Sequence, residues 1–77
     1  MGSMIVTGRD LEDARKLLGW SVFEMGAALR LKGGRDAQGQ YVREMESGRR
    51  DVSGPICVAV EGFLQGARPD GFRRVAT

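Results

Sequence analysis

Apolar residues recur along this chain at helical rather than strand spacing. Leu11, Ala14 and Leu18 stand at i, i+3 and i+7, which puts them on one stripe of an amphipathic helix. Thr7-Gly8-Arg9-Asp10 precedes the stripe and has the form of a helix start. The Thr7 hydroxyl accepts from a free amide one turn in, and the Asp10 carboxylate reaches back. Asp10, Glu12 and Asp13 suit the positive end of the helix dipole, Arg15 and Lys16 the far end, and Gly19 stops the helix. A second box of the same form, Ser21-Val22-Phe23-Glu24, opens the next element. Val22, Met25, Gly26 and Leu29 then repeat the helical spacing, which predicts a helix over 22–31. Gly26 lowers helix propensity by ~1 kcal/mol relative to alanine. It is either a weak spot or a place where another helix comes close, and we adopt the second reading.

Lys32-Gly33-Gly34-Arg35 is a loop by composition. Asp36 is expected to cap a third helix that runs to Ser47, with Val42 and Met45 inward, Tyr41 at the margin, and Gly48 as the stop. Arg49–Gly54 is a turn, and Pro55 suits the first turn of a fourth helix, where its missing amide proton costs nothing. Ile56, Ala59, Val60, Phe63 and Leu64 give that helix a wide apolar stripe ending near Gly66. The expected fold is therefore all-α, with four to five short helices. Residues 1–6 are expected to be a cloning remnant (Met1-Gly2-Ser3 before Met4) and an arm, 7–66 the folded domain, and 67–77 a tail. The tail is disordered, a short strand or a docked arm. Phe72 and Val75 favour packing, on a partner subunit if there is one.

Composition narrows the chemistry. A chain of 77 residues has room for one small domain with a modest core, so a partner surface would add needed burial. The single cysteine, Cys57, lies in the apolar run 56–60 and is expected to be a buried thiol. Its solitude fits a reducing cytoplasm. No apolar run reaches the ~20 residues of a membrane span, so no membrane association is expected. There is no histidine, the commonest general base and metal ligand, and one cysteine cannot build a structural zinc site. The glycines of 32–39 lack the Gly-Lys-Ser/Thr ending of a phosphate loop. No enzyme activity, metal or cofactor is expected. The net charge of +2 is unevenly spread: 1–31 holds four cations and four carboxylates, while Lys32, Arg35, Arg49, Arg50 and the tail arginines form clusters.

Four short helices with a sharp break between the second and third suggest a helix-turn-helix. Ala14-Arg15-Lys16-Leu17-Leu18-Gly19-Trp20-Ser21 resembles the junction of helices one and two in lambda-repressor/Cro-like (XRE) regulators. Glu24-Met25-Gly26-Ala27-Ala28-Leu29 is similar to their Glu-Leu-Ala-x-x-Leu. Val42-Arg43-Glu44-Met45-Glu46-Ser47-Gly48-Arg49-Arg50 resembles the end of their recognition helix. Val52-Ser53-Gly54-Pro55 is similar to the Pro-Gly-Pro that starts their fourth helix. The likeness spans roughly residues 11–64. Two features depart from it. Leu29 and Val42 are 13 positions apart, where the family's helix-turn-helix uses about seven, so the turn before the recognition helix is extended. Val22 also stands where the family often has a phosphate-binding Gln.

The resemblance implies a sequence-specific regulator, most simply a homodimeric repressor whose paired helices read an inverted repeat of double-stranded DNA in successive major grooves. Gln38, Gln40, Arg43 and Glu44, on the side away from Val42 and Met45, are the expected base contacts, since Gln pairs with adenine and Arg with guanine through two bonds. Gly39 would let the backbone approach. Lys32, Arg35, Tyr41, Arg49 and Arg50 are the expected phosphate contacts, which set affinity and register. The resemblance also implies an ion pair between Arg15 and Glu46 that orients the third helix. Phe63, Leu64 and Phe72 are the expected dimer surface. A protein-binding module of the same fold, such as an antitoxin masking a toxin, is the alternative. RNA binding ranks lower, because few aromatics are present for base stacking.

Overall fold

The computed structural model describes residues 7–69. The expectations for the arm 1–6, for Phe72 and for the tail beyond Pro69 lie outside the described residues. Within them the chain is all-helical: α1 Gly8–Leu18, α2 Val22–Ala28, α3 Arg35–Ser47 and α4 Gly54–Leu64. Both capping boxes form. Thr7 Oγ1 accepts from the Asp10 amide at 3.2 Å while Asp10 accepts from the Thr7 amide at 3.1 Å. Ser21 Oγ and Glu24 exchange the same bonds at 3.1 and 2.7 Å. Each box satisfies amides that a helix start leaves orphaned. Gly19 and Gly48 end α1 and α3 in the left-handed conformation.

Two boundaries differ from the periodicity. The helix predicted over 22–31 stops at Ala28. Arg30 takes a left-handed φ of 57°, and its amide and that of Leu31 close the helix on the carbonyls of Ala27 and Gly26 at 3.0 and 3.2 Å. The reason is packing. Leu29 and Leu31 both contact the core, yet a continuous helix would set them about 200° apart, so one would face solvent. The reversal at Arg30 turns both inward. A non-glycine residue in this conformation costs ~1–2 kcal/mol, and glycine gives part of that back as lost chain entropy. By backbone conformation alone, Arg30→Gly is therefore expected to raise stability by up to about 1 kcal/mol in urea unfolding, offset by whatever the arginine's own interactions contribute.

The other difference is the start of α3. Gly34, not Asp36, is the N-cap, and the Gln38 amide already bonds to the Gly34 carbonyl at 2.9 Å. Asp36 instead sits in the first turn, where its charge meets the positive end of the helix dipole.

The core comprises Leu11, Ala14, Trp20, Met25, Ala28, Val42, Met45, Cys57, Val60 and Phe63. Trp20 meets Phe63 edge to face, with centroids 5.4 Å apart, a favoured aromatic geometry. Helix α3 packs on α2 and α1, and α4 packs on α1. Two glycines bring the backbone of α3 close. A Cβ on Gly26 would stand 2.9 Å from the Gln38 carbonyl oxygen, and one on Gly8 would overlap the Met45 carbonyl oxygen. The close approach expected at Gly26 is thus α3 crossing α2. The approach at Gly8 has no counterpart in the sequence reading.

Candidate nucleic-acid interface

Helix α3 is a rod of 13 residues, about 20 Å long. Its inner stripe of Gly39, Val42 and Met45 is buried, while Asp36, Ala37, Gln40, Arg43 and Ser47 are exposed. The helix is locked from behind by Arg15 on α1. Arg15 Nε donates to Glu46 Oε2 at 2.6 Å and Nη2 to Oε1 at 3.1 Å, while Nη1 donates to the Trp20 carbonyl at 3.0 Å. The two side chains are only 15% and 10% exposed. The hydrogen bond to Glu46 holds the Arg15 pKa above its usual value despite the opposing cost of burial. One guanidinium thus ties α3 to both α1 and the turn into α2, using a planar fork suited to a carboxylate.

The exposed stripe contains two of the four expected base contacts, Gln40 and Arg43. Gln38 is a correction. It is half-buried, and its Nε2 donates to the Leu31 carbonyl at 2.7 Å, pinning the extended turn onto α3. Its spacing carried that signal, since it stands four before Val42 and seven before Met45, on the inner stripe. Gly39 is a second correction. It faces α2, not open space: a Cβ there would lie 2.5 Å from the Phe23 ring.

Glu44 is half-buried and bound within the chain. Arg50 Nη2 and Nε donate to its Oε1 at 2.9 and 3.2 Å, and Gln40 Nε2 donates to Oε2 at 3.3 Å. The Arg50 bond, then the Gln40 bond, lowers the Glu44 pKa, and the same contact with Glu44 raises that of Arg50. Arg50 also lies over the Tyr41 ring, 4.1 Å from its centroid. Tyr41, Glu44 and Arg50 therefore form one cluster at the C-terminal end of α3. Of the other expected phosphate contacts, Lys32 and Arg49 are exposed in the loops on either side of α3 and Arg35 is exposed in its first turn.

Phe23 is the residue that the sequence reading missed. Arg35 and Arg43 both place their guanidinium carbons over its ring, at 4.3 and 5.3 Å from the centroid. The segment 30–51 holds six cations against four carboxylates, and one carboxylate, Glu46, is neutralised by Arg15. No family model, curated protein or solved structure matches this chain.

The expected dimer surface is also revised. Phe63 is a core residue, 6% exposed, and its ring packs against Trp20. Its spacing of three from Val60 already placed it on the inner stripe. Leu64 is half-buried on a shallow depression of about 340 Å³ that Leu17, Leu18, Phe63 and Arg68 also line. Among the described residues, the large apolar side chains left in solvent are Leu17 at 80% and Val58 at 69% exposure. Among the described residues no helix is long and apolar enough to cross a membrane.

Proposed function

We propose that this chain binds duplex DNA through a helix-turn-helix formed by α2 and α3, with α3 as the recognition helix, and that it regulates transcription as a homodimer without enzymatic activity. One observation carries the proposal. The inner side of α3 is fixed by the core and by Arg15, while its outer side presents Gln40 and Arg43 uncovered, flanked by exposed Lys32, Arg35 and Arg49. A rigid helix with polar side chains outward is what major-groove readout needs, and cations at both ends suit the phosphates that border a groove. Each copy measures 30 × 28 × 19 Å, a size that lets two copies set their α3 helices ~34 Å apart, one turn of DNA. With Phe63 buried, Leu64 and the neighbouring Leu17 are the apolar surface we assign to the second copy.

A salt series with random-sequence duplex tests the proposal. Affinity is expected to fall steeply, with a log–log slope of about −0.9 per phosphate contacted. A protein-binding module of the same fold, which the exposed Leu17 and Val58 would suit, predicts no duplex binding even at low salt. On a duplex selected by the chain itself, Gln40→Ala and Arg43→Ala are each expected to cost ~1–3 kcal/mol of discrimination. Arg49→Ala is expected to weaken all sequences alike. The reverse pattern would place the reading face elsewhere.

A further inference from the structure

We propose that Phe23 is a positioning residue that holds Arg35 and Arg43 ready for DNA, an inference that rests on α3 being the recognition helix. Phe23 projects from the first turn of α2 onto Gly39, the one position of α3 whose missing side chain makes room for its ring. Arg35 and Arg43 stand one turn before and one turn after that gap, each four residues from Gly39, so they flank it on either side at the exposed edge of the inner stripe. Their guanidinium carbons lie 4.3 and 5.3 Å from the ring centroid, within range of a cation–π attraction.

The manner of holding matters. A guanidinium stacked by its plane keeps its N–H edges free. Neither Arg35 nor Arg43 has a hydrogen bond or ion pair among the described residues, in contrast to Arg50, whose donors are engaged by Glu44. Stacking therefore limits the rotamers of these two long side chains without using the donors that a guanine edge or a phosphate would accept. Immobilising such a side chain only on binding costs affinity, and holding it beforehand avoids part of that cost.

The first test needs no variant. In the NMR spectrum of the wild-type chain, the δ protons of Arg35 and Arg43 are expected to be shifted by the ring current. Random-coil positions for both overturn the proposal. The second test measures binding to a duplex that the wild-type chain has selected from a random pool, with circular dichroism confirming the fold. Phe23→Leu keeps an apolar side chain but removes the π face, and should weaken binding about fivefold to tenfold. Phe23→Tyr should restore it, and Phe23→Leu should cost less than threefold when Arg43→Ala is already present. Phe23→Met replaces Phe23→Leu if the latter unfolds. Equal affinity of Phe23→Leu and wild type, no rescue by Tyr, or an undiminished cost beside Arg43→Ala each overturn the proposal while leaving DNA binding intact. Failure of the wild-type chain to bind any duplex at low salt removes the DNA reading itself, and this proposal with it.

Discussion

Replacing Arg15 by alanine is expected to lower the stability of this domain by about 3 kcal/mol. Removing one partner of a buried pair costs ~3–5 kcal/mol, because the other charge stays behind unpaired. Here both side chains retain a little solvent contact, at 15% and 10% exposure, which places the cost at the low end. The change also removes the bond from Arg15 Nη1 to the Trp20 carbonyl, 3.0 Å long. For a chain of this size, 1 kcal/mol corresponds to roughly 4–8 °C in Tm, so thermal unfolding should begin some ten degrees or more lower. A domain with ~5 kcal/mol in total would lose most of its margin. Arg15→Met combined with Glu46→Leu leaves no orphaned charge and should recover most of the loss. A thermally silent Arg15→Ala would mean that core packing, not this ion pair, fixes α3 against α1.

The second large effect concerns the glycines on which α3 rests. By helix propensity alone, Gly26→Ala should stabilise α2 by ~1 kcal/mol. The expected result has the opposite sign. The new methyl group would stand 2.7 Å from the Gln38 Cβ and 2.9 Å from its carbonyl carbon and oxygen. Two of those atoms are backbone, which cannot step aside as a flexible side chain would. Overpacking of this kind costs ~1–3 kcal/mol, so a net loss of about 1–2 kcal/mol is expected in urea unfolding. Gly8→Ala should cost more, because its methyl group would overlap the Met45 carbonyl oxygen and come within 2.8 Å of that of Glu46. Only displacement of the α1 start from α3 relieves that contact. If either alanine variant melts at or above the wild-type temperature, the helices are not held at the separation described.

These two cases also mark what was legible in the sequence. Helix starts were legible because a capping box is local: Thr7 with Asp10, and Ser21 with Glu24, need only three residues of chain to meet. Gly26 was legible as a contact because its helical cost demanded a reason. The Arg15–Glu46 pair spans 31 positions, so no local rule reaches it, and only the resemblance suggested it. Gln38 and Phe63 were misplaced although their spacing from Val42 and Val60 set them on inner stripes. Residue type alone points the other way, since Gln38 is polar and Phe63 is an aromatic that could serve a contact as well as a core.

Other features had no signal of their own. That α2 stops before Leu31 depends on where the core lies, since both Leu29 and Leu31 must turn toward it. Phe23 lying on Gly39 joins two elements across the extended turn and follows only from their packing. The binding of Glu44 by Arg50 likewise depends on how the chain leaves α3 at Gly48. The part of the candidate site that reads directly from spacing is the outer stripe of Gln40 and Arg43. The contacts that hold or occupy its neighbours are tertiary.

The most direct measurement is an NMR titration of the labelled chain with a short duplex at low salt, following amide and side-chain resonances. The account predicts that Gln40, Arg43 and Ser47 on α3 shift together with Lys32, Arg35 and Arg49, while Asp10 and Asp13 at the acidic start of α1 stay in place. A duplex that leaves the α3 stripe unmoved, whether or not it binds elsewhere on the molecule, would contradict it.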